Sequence, residues 1–157
     1  MPETDAKSLA LDRRLVAALC RDCRADISAI AAVTDAVPTT VQKRVRALEE
    51  NGTIDGYTAR LNYGNIGYET VVFRLRVDLD AVDRVTARLR ARPAFTTVYH
   101  TSGPESVLAI GSFDDEAAIG ACLRELHDDP DVCGIATATV VSVRREGGCP
   151  IPDSTLP

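Results

Sequence analysis

The spacing of apolar residues changes near residue 61, and this change constrains the fold more than any other feature of the chain. Before it, apolar side chains recur at helical intervals, as at Leu11, Leu15 and Leu19. From Val71 to Val77, apolar residues occupy every second position, with Arg74 and Arg76 between them, which is typical of a half-buried β-strand. We therefore expect two domains in this 157-residue chain, one over residues 1–61 and one over residues 62–146.

The first domain is predicted to hold three helices, over about residues 10–21, 27–34 and 38–50. Asp26 is a suitable N-cap for the second helix, because a carboxylate accepts hydrogen bonds from free backbone N–H groups. Pro38 suits the first position of the third helix. The second and third helices are separated by a tight turn at residues 34–36, where Asp tolerates left-handed backbone. This pair predicts a helix-turn-helix.

The second domain is predicted to be ferredoxin-like. Its alternating and helical patterns follow the order β-α-β-β-α-β, which is the order of that fold. The fold class is therefore α+β, with a helix-turn-helix (winged-helix-like) head. The predicted elements of this domain are a strand from Val71, a helix over 81–92 capped by Asp80, strands Phe95–His100 and Val107–Phe113, a helix over 115–128 and a strand over 134–143.

Three further segments are predicted to connect or flank these domains. Residues 1–8 form a short frayed lead, and residues 54–61 form a short strand and linker. Residues 147–157 are rich in Gly and Pro and are predicted to be a flexible tail.

No apolar run approaches the roughly 18 residues that a membrane span needs. The N-terminus is acidic and polar, unlike a secretory signal, so we expect a cytoplasmic protein.

The net charge of −5 does not exclude nucleic acid, because the charge is unevenly distributed. Residues 1–61 contain nine basic and nine acidic side chains, whereas the remainder contains nine basic and fourteen acidic ones. The predicted head is therefore neutral, and the acidity belongs to the second domain.

The third helix carries the candidate DNA contacts. In a helix-turn-helix, the second helix of the pair lies in the major groove, and its N-terminal residues meet base edges. Amide, guanidinium and hydroxyl groups read bases, while cations neutralise phosphates. Alternatively, the same side chains form only a solvated helix face. The candidate DNA-binding residues are Thr39, Thr40, Gln42, Lys43, Arg44 and Arg46.

The stretch from Arg44 to Tyr57 has the pattern R-x-x-x-L-E-x-x-G-x-I-x-G-Y. Together with Leu11-Asp12 and Ile66-Gly67-Tyr68, it resembles the Lrp/AsnC (leucine-responsive or feast/famine) family. The resemblance implies a transcription regulator that binds double-stranded DNA. It also implies C-terminal domains that pair sheet against sheet into homodimers, often assembling further into tetramers or octamers. A small-molecule effector, often an amino acid, would bind between subunits, and no enzyme activity, cofactor or metal is expected.

The sequence departs from the family pattern at two places. Val37 stands where the family usually has a Ser cap, a loss worth about 1 kcal/mol. The loop that resembles Gly-x-x-Asp in the family reads Gly-Pro-Glu-Ser here. The resemblance transfers the effector role to Tyr99, Thr101, Gly103, Ser106, Thr137 and Thr139, with Glu105 as a neighbouring acid. Alternatively, these candidates are only core, turn or strand-forming residues.

Two alternative functions remain open at this point. One is a metabolite-binding module that does not regulate DNA, which the missing cap and altered loop favour. The other is an enzyme resembling the tetrapyrrole decarboxylases of this superfamily, which only His100 suggests.

Two further motifs have plain explanations. Cys20-x-x-Cys23 lacks the second ligand pair that a structural zinc site needs, so these cysteines are predicted to be reduced thiols near a helix end. Arg84, Arg88 and Arg92 recur every four residues, which predicts a solvated helix face paired with acidic residues rather than an anion site.

Overall fold

The computed structural model describes residues 3–152, with side chains from residue 7 onwards. The chain divides into two compact units. The first combines the N-terminal segment up to Arg60 with the segment from Arg145, and the second spans Leu61–Arg144. No helix in the described part of the chain is long and apolar enough to cross a membrane.

The first unit contains a helix-turn-helix, as predicted. Its helices are α1 (Glu3–Arg21), α2 (Ile27–Thr34) and α3 (Pro38–Glu50). The Asp26 carboxylate accepts a 2.8 Å hydrogen bond from the backbone N–H of Ala29 and so caps α2. Asp35 adopts the left-handed conformation, with φ 50°, and turns the chain out of α2.

The core of the first unit joins all three helices. Leu15 of α1, Ile30 of α2 and Val41 of α3 are almost completely buried. Thr34 is also buried, and its hydroxyl donates a 2.7 Å hydrogen bond to the carbonyl of Ile30, which satisfies the polar group. The apolar stripes therefore fix how α2 and α3 pack against α1.

The second unit is an antiparallel sheet with two helices on one face. The strands are β1 (Glu69–Val77), β2 (Phe95–His100), β3 (Val107–Phe113) and β4 (Val132–Thr139), in the order β2-β3-β1-β4. The helices are α4 (Val82–Arg90) and α5 (Glu116–His127). This arrangement confirms the predicted β-α-β-β-α-β order. A 3₁₀ helix at Tyr63–Ile66, which the sequence analysis did not predict, precedes β1.

The two faces of the sheet differ. Val71, Phe73, Leu75 and Val77 of β1 are buried in one cluster with residues of α4 and α5. Residues that are paired directly across an antiparallel ladder share a face. The opposite face, which we call the open face, therefore carries half-buried or exposed residues in register. They are Thr97 and Tyr99 of β2, Leu108 and Ile110 of β3, Val72 and Arg74 of β1, and Ala136 and Ala138 of β4.

Several predicted boundaries in the N-terminal half differ from the structure. Helix α1 begins at Glu3, so the predicted lead over 1–8 is helical where it is described. Residues 54–61 form no strand. Instead, the Ile54 N–H donates to the Leu48 carbonyl and closes the end of α3, and Gly52 turns the chain with φ 74°. The winged-helix-like strand is therefore absent from this segment.

The second half has smaller corrections. The N-cap of α4 is Ala81 rather than Asp80, whose carbonyl accepts a hydrogen bond from Arg84. Strand β4 ends at Thr139 rather than residue 143, because β1 begins at Glu69 and offers few further pairing positions.

The C-terminal segment also differs from its prediction. Residues 145–152 belong to the first unit instead of forming a separate tail. Arg60 Nη1 donates hydrogen bonds to the carbonyls of Glu146, at 3.3 Å, and Gly147, at 3.4 Å. The last five residues of the predicted tail, 153–157, lie outside the described part of the chain.

Candidate DNA interface and effector region

The N-terminal half of α3 presents a polar, exposed surface. The side chains of Thr39, Thr40, Gln42 and Lys43 are all exposed. The N-cap of α3 is Val37, in extended conformation, which forms no side-chain cap hydrogen bond. The surface therefore combines two hydroxyls, an amide and an ammonium group on two turns of one helix. These groups can hydrogen-bond with base edges or neutralise phosphate.

The side chain of Arg44 is bound within the first unit. Its guanidinium binds the Asp12 carboxylate of α1 in a two-point ion pair, with Nε donating to Oδ1 at 2.8 Å and Nη2 donating to Oδ2. This hydrogen bonding raises the pKa of Arg44. Arg44 therefore ties α3 to α1 and supports the surface, while its predicted contact with DNA stays a prediction.

Arg46 remains accessible. Its closest approach to Glu50, one turn away, is 3.9 Å, and the two side chains are 80% and 72% exposed. Water screens such a pair, so it contributes little energy. Arg46 can therefore leave Glu50 and bind a phosphate with little loss of interaction energy.

The predicted effector loop is closed by its own hydrogen bonds. Thr101 donates from its backbone N–H to the Ser106 carbonyl at 2.8 Å and from its hydroxyl to the Glu105 carbonyl at 2.5 Å. Gly103 and Glu105 are exposed at the tip. The loop therefore holds the Glu105 side chain in solvent.

Ser106 is a structural residue. It is buried, and its Oγ donates to the Val77 carbonyl at 2.7 Å and accepts from the Val77 N–H at 3.1 Å. These two bonds tie the start of β3 to the end of β1. The role of Ser106 in effector binding stays a prediction, and in this chain its hydroxyl is buried and bonded to Val77.

The remaining effector candidates lie on opposite edges of the sheet. Tyr99 is on β2, opposite Leu108, and is 57% exposed on the open face. Thr137 and Thr139 are on β4, opposite Phe73 and Val71, and therefore face the other way. Three strand spacings separate β2 from β4, or roughly 14 Å. One chain thus does not bring these residues together.

Two features near the predicted sites were missed by sequence reasoning. Asp12 is the partner of Arg44, and its place in the family pattern is the one signal that the sequence offers for it. A cavity of about 640 Å³ in the second unit is lined by Tyr63, Tyr68, Phe95 and Phe113, among others. The aromatic residues on both sides of Ile66-Gly67 were the available signal for it.

The arginine row on α4 and beyond is paired, as predicted. Arg84 binds Asp131 at 3.0 Å, and Arg88 binds Asp129 at 2.7 Å and Asp131 at 2.9 Å. Arg92 binds Glu125. Hydrogen bonds from Arg84 and Arg88 lower the pKa of Asp131. These cations are therefore neutralised within the second unit.

The described His, Cys, Asp and Glu side chains do not form a metal cluster. In residues 7–152, no group of three or more His, Cys, Asp or Glu side chains has an arrangement that could hold a metal ion. His100 is exposed at the end of β2.

A helix-turn-helix unit joined to an antiparallel sheet with two helices defines a class of DNA-binding regulators. Residues 10–49 match the model of the AsnC-type helix-turn-helix domain. The HTH-type transcriptional regulator LrpA of Mycobacterium tuberculosis is 31% identical over 124 residues, which cover 78% of this chain and 83% of LrpA. A crystal structure of the M. tuberculosis leucine response regulatory protein LrpA superposes with a TM-score of 0.79 at 26% identity, covering 90% of this chain and 98% of that one.

The chain therefore belongs to the Lrp/AsnC family and is a DNA-binding transcription regulator of helix-turn-helix type. The fold is also shared by the regulator NMB0573 of Neisseria meningitidis, whose structure is a complex with L-Met. That match has a TM-score of 0.75 at 18% identity and covers 87% of this chain and 91% of the other.

Proposed function

We propose that this regulator reads a near-palindromic DNA site as a homodimer, using Thr39, Thr40, Gln42, Lys43 and Arg46. The exposed polar surface on α3 is the observation that carries the proposal. The ion pair between Arg44 and Asp12 supports it, because it holds α3 in place from the side of α1. A single recognition helix gives modest affinity, whereas two linked helices read both half-sites. The protein would act in the cytoplasm.

The open face of the sheet is the proposed dimer surface. Val72, Leu108 and Ile110 form an apolar group in its two central strands, beside Arg74 of β1 and small side chains on β4. A surface of this kind can pack against its own copy about a two-fold axis, as homodimers do. Such dimers can assemble further into tetramers or octamers.

An amino-acid-like effector is proposed to bind between subunits of this assembly. Tyr99, Gly103 and Glu105 lie on or near one edge of the sheet, while Thr137 and Thr139 lie on the other, so a shared site requires a second subunit. Thr101 holds the loop, and the exposed Glu105 carboxylate suits an ammonium group. The complex of the Neisseria relative with L-Met supports an effector of this class.

No catalytic step is assigned to the protein. The relative LrpA of Mycobacterium tuberculosis is named a transcriptional regulator. The tetrapyrrole decarboxylase alternative rested on His100 alone, and the structure adds no support for it.

The DNA proposal predicts that Lys43→Ala will weaken binding to the gene's own upstream region. We expect the slope of log affinity against log salt concentration to fall by about 1, because one phosphate contact is lost. Gln42→Ala should weaken binding chiefly to the preferred sequence, since an amide reads bases. The measurement is a gel-shift titration at several salt concentrations.

The matched control is Arg90→Ala, which removes an exposed cation from α4. It should leave the salt slope unchanged. Absence of retardation of the upstream region at low salt, or equal effects of the Lys43 and Arg90 variants, would contradict the proposal. Effector binding without any DNA binding would instead favour the metabolite-binding module.

The effector proposal predicts that at least one L-amino acid will bind and that Glu105→Gln will weaken it about tenfold, because a charge-assisted hydrogen bond is lost. Calorimetry with a panel of amino acids measures this. Asp83→Asn, at an exposed acid on α4, is the control and should bind normally. If no amino acid binds, or if both variants bind alike, the proposed site is wrong.

A further inference from the structure

Three of the five cysteines line one cavity of the first unit. Cys20 lies in the last turn of α1, Cys23 follows that helix, and Cys149 lies in the C-terminal segment. The cavity has a volume of about 870 Å³ and is bordered by residues 53–60 and 147–150. Cysteines from opposite ends of the sequence thus meet at one site.

Cys20 interacts with Cys149 rather than with its neighbour in the C-x-x-C motif. Partial burial, together with the hydrogen bond and charge interaction with Cys149, raises the pKa of Cys20. The same two cysteines also line a second, smaller cavity of about 280 Å³, to which Cys23 does not contribute. Cys23 instead lies near Tyr57, whose pKa is raised by burial, by its interaction with Glu49 and, last, by Cys23.

The position of Cys149 is fixed by contacts that do not involve sulfur. The two hydrogen bonds from Arg60 to the carbonyls of Glu146 and Gly147 hold the chain just before Cys149. Gly147 has a φ of 59°, a conformation that glycine adopts readily and that turns the segment here. The segment therefore presents Cys149 to the end of α1 in the reduced protein.

We propose that Cys20 and Cys149 form an oxidisable dithiol, which a peroxide converts into an intrachain disulfide that fastens the C-terminal segment to α1. The two cysteines line the same two cavities, so their thiols face a common space in which the S–S bond length of about 2.05 Å is to be reached by side-chain movement. Both residues are accessible, since Cys20 is exposed and Cys149 is half-buried. The site lies wholly within the helix-turn-helix unit and goes beyond the proposed DNA and effector contacts.

Hydrogen peroxide is the two-electron oxidant in this reaction. One thiolate attacks a peroxide oxygen, the O–O bond breaks, and a sulfenic acid and one water form after proton transfer. The second thiolate attacks the sulfenic sulfur and displaces the second oxygen, which leaves as water after protonation. Two thiols therefore lose two electrons and two protons to one hydrogen peroxide, and a thiol reductant reverses the bond.

The experiment is peptide mapping of the full-length protein after brief treatment with hydrogen peroxide. Remaining thiols are alkylated, and the protein is digested with trypsin without reduction. Cleavage after arginine places Cys20 in peptide 15–21, Cys23 in peptide 22–24 and Cys149 in the peptide beginning at Glu146. The three pairings among these cysteines are therefore separated by mass. We expect peptide 15–21 linked to the Glu146 peptide as the main disulfide, formed within single chains and removed by dithiothreitol.

Variants make the result specific. Cys20→Ser and Cys149→Ser should each abolish the linked peptide, whereas Cys23→Ser should retain it. Cys133→Ser, at an exposed cysteine of the second unit, is the matched control and should behave like the native chain. Hydrogen exchange in the Glu146 peptide should slow on oxidation in the native chain and in Cys23→Ser.

Three results would overturn the proposal. They are a main link between Cys20 and Cys23, a Cys149 link that joins two chains, and oxidation of all exposed cysteines at equal rates without any 20–149 link. Each of these readouts is independent of DNA binding, so failure here leaves the proposed function unaffected.

Discussion

Phe73→Ala will lower the free energy of unfolding of the second unit by about 3–5 kcal/mol, the usual cost of truncating a buried Phe. Phe73 is completely buried at the centre of β1. Its ring lies 5.3 Å from that of Phe95 and 5.9 Å from that of Phe113, measured between ring centroids. Truncation therefore leaves a cavity and also removes two aromatic contacts, each worth about 0.5–1.5 kcal/mol beyond area burial.

Urea unfolding followed by circular dichroism measures this loss, and hydrogen exchange locates it in the second unit. Phe73→Leu is the control, because it keeps most of the apolar volume and should cost less than half as much. A loss below about 1 kcal/mol for Phe73→Ala would mean that β1 is not the centre of this core.

The second large effect is expected at the ion pair between Asp12 and Arg44. Arg44→Ala should destabilise the first unit by about 1.5–3 kcal/mol, the range for hydrogen bonds to charged groups. The side chain of Asp12 is only 16% exposed, so its carboxylate would be left partly buried without its partner. Arg44 itself is 34% exposed, which places the expected value toward the lower end of this range.

A double-mutant cycle with Asp12→Ala isolates the interaction, and we expect a coupling energy of about 1–2 kcal/mol. The exposed pair of Arg46 and Glu50 on the same helix is the matched control. Its coupling should be below about 0.5 kcal/mol, because water screens it. Equal coupling energies for the two pairs would show that Arg44 does not fasten α3 to α1.

The elements with strong local signals could be predicted closely from the sequence. Helices α2 and α3 and strands β2 and β3 have the predicted bounds, because Asp26, Asp35 and Pro38 mark helix ends and alternation marks strands. The errors fall where local signals compete. Asp80 is a good cap by chemistry, but the chain enters α4 at Ala81. Residues 54–61 have strand-like composition, yet the closure of α3 uses the Ile54 N–H.

The candidate sites were harder to predict, because their geometry depends on contacts distant in sequence. Arg44 has the position of a DNA-reading residue on α3, and only its packing against Asp12 shows that it is occupied. Ser106 resembles a loop residue, but the pairing of β1 with β3 buries it against Val77. Tyr99 and Thr137 are both predicted effector residues but lie on separate edges of the sheet, which strand order alone decides.

Because of the C-terminal segment, the two units become complete at different times during synthesis. The first unit contains residues from both sides of the second unit, which is inserted between them in the sequence. On the ribosome, the sheet and its helices can be complete once residue 144 has emerged, because domains generally fold as units. The helix-turn-helix unit, although translated first, acquires its final segment last, so a ribosome that stalls before residue 145 would leave a finished sheet unit beside an unfinished DNA-binding unit.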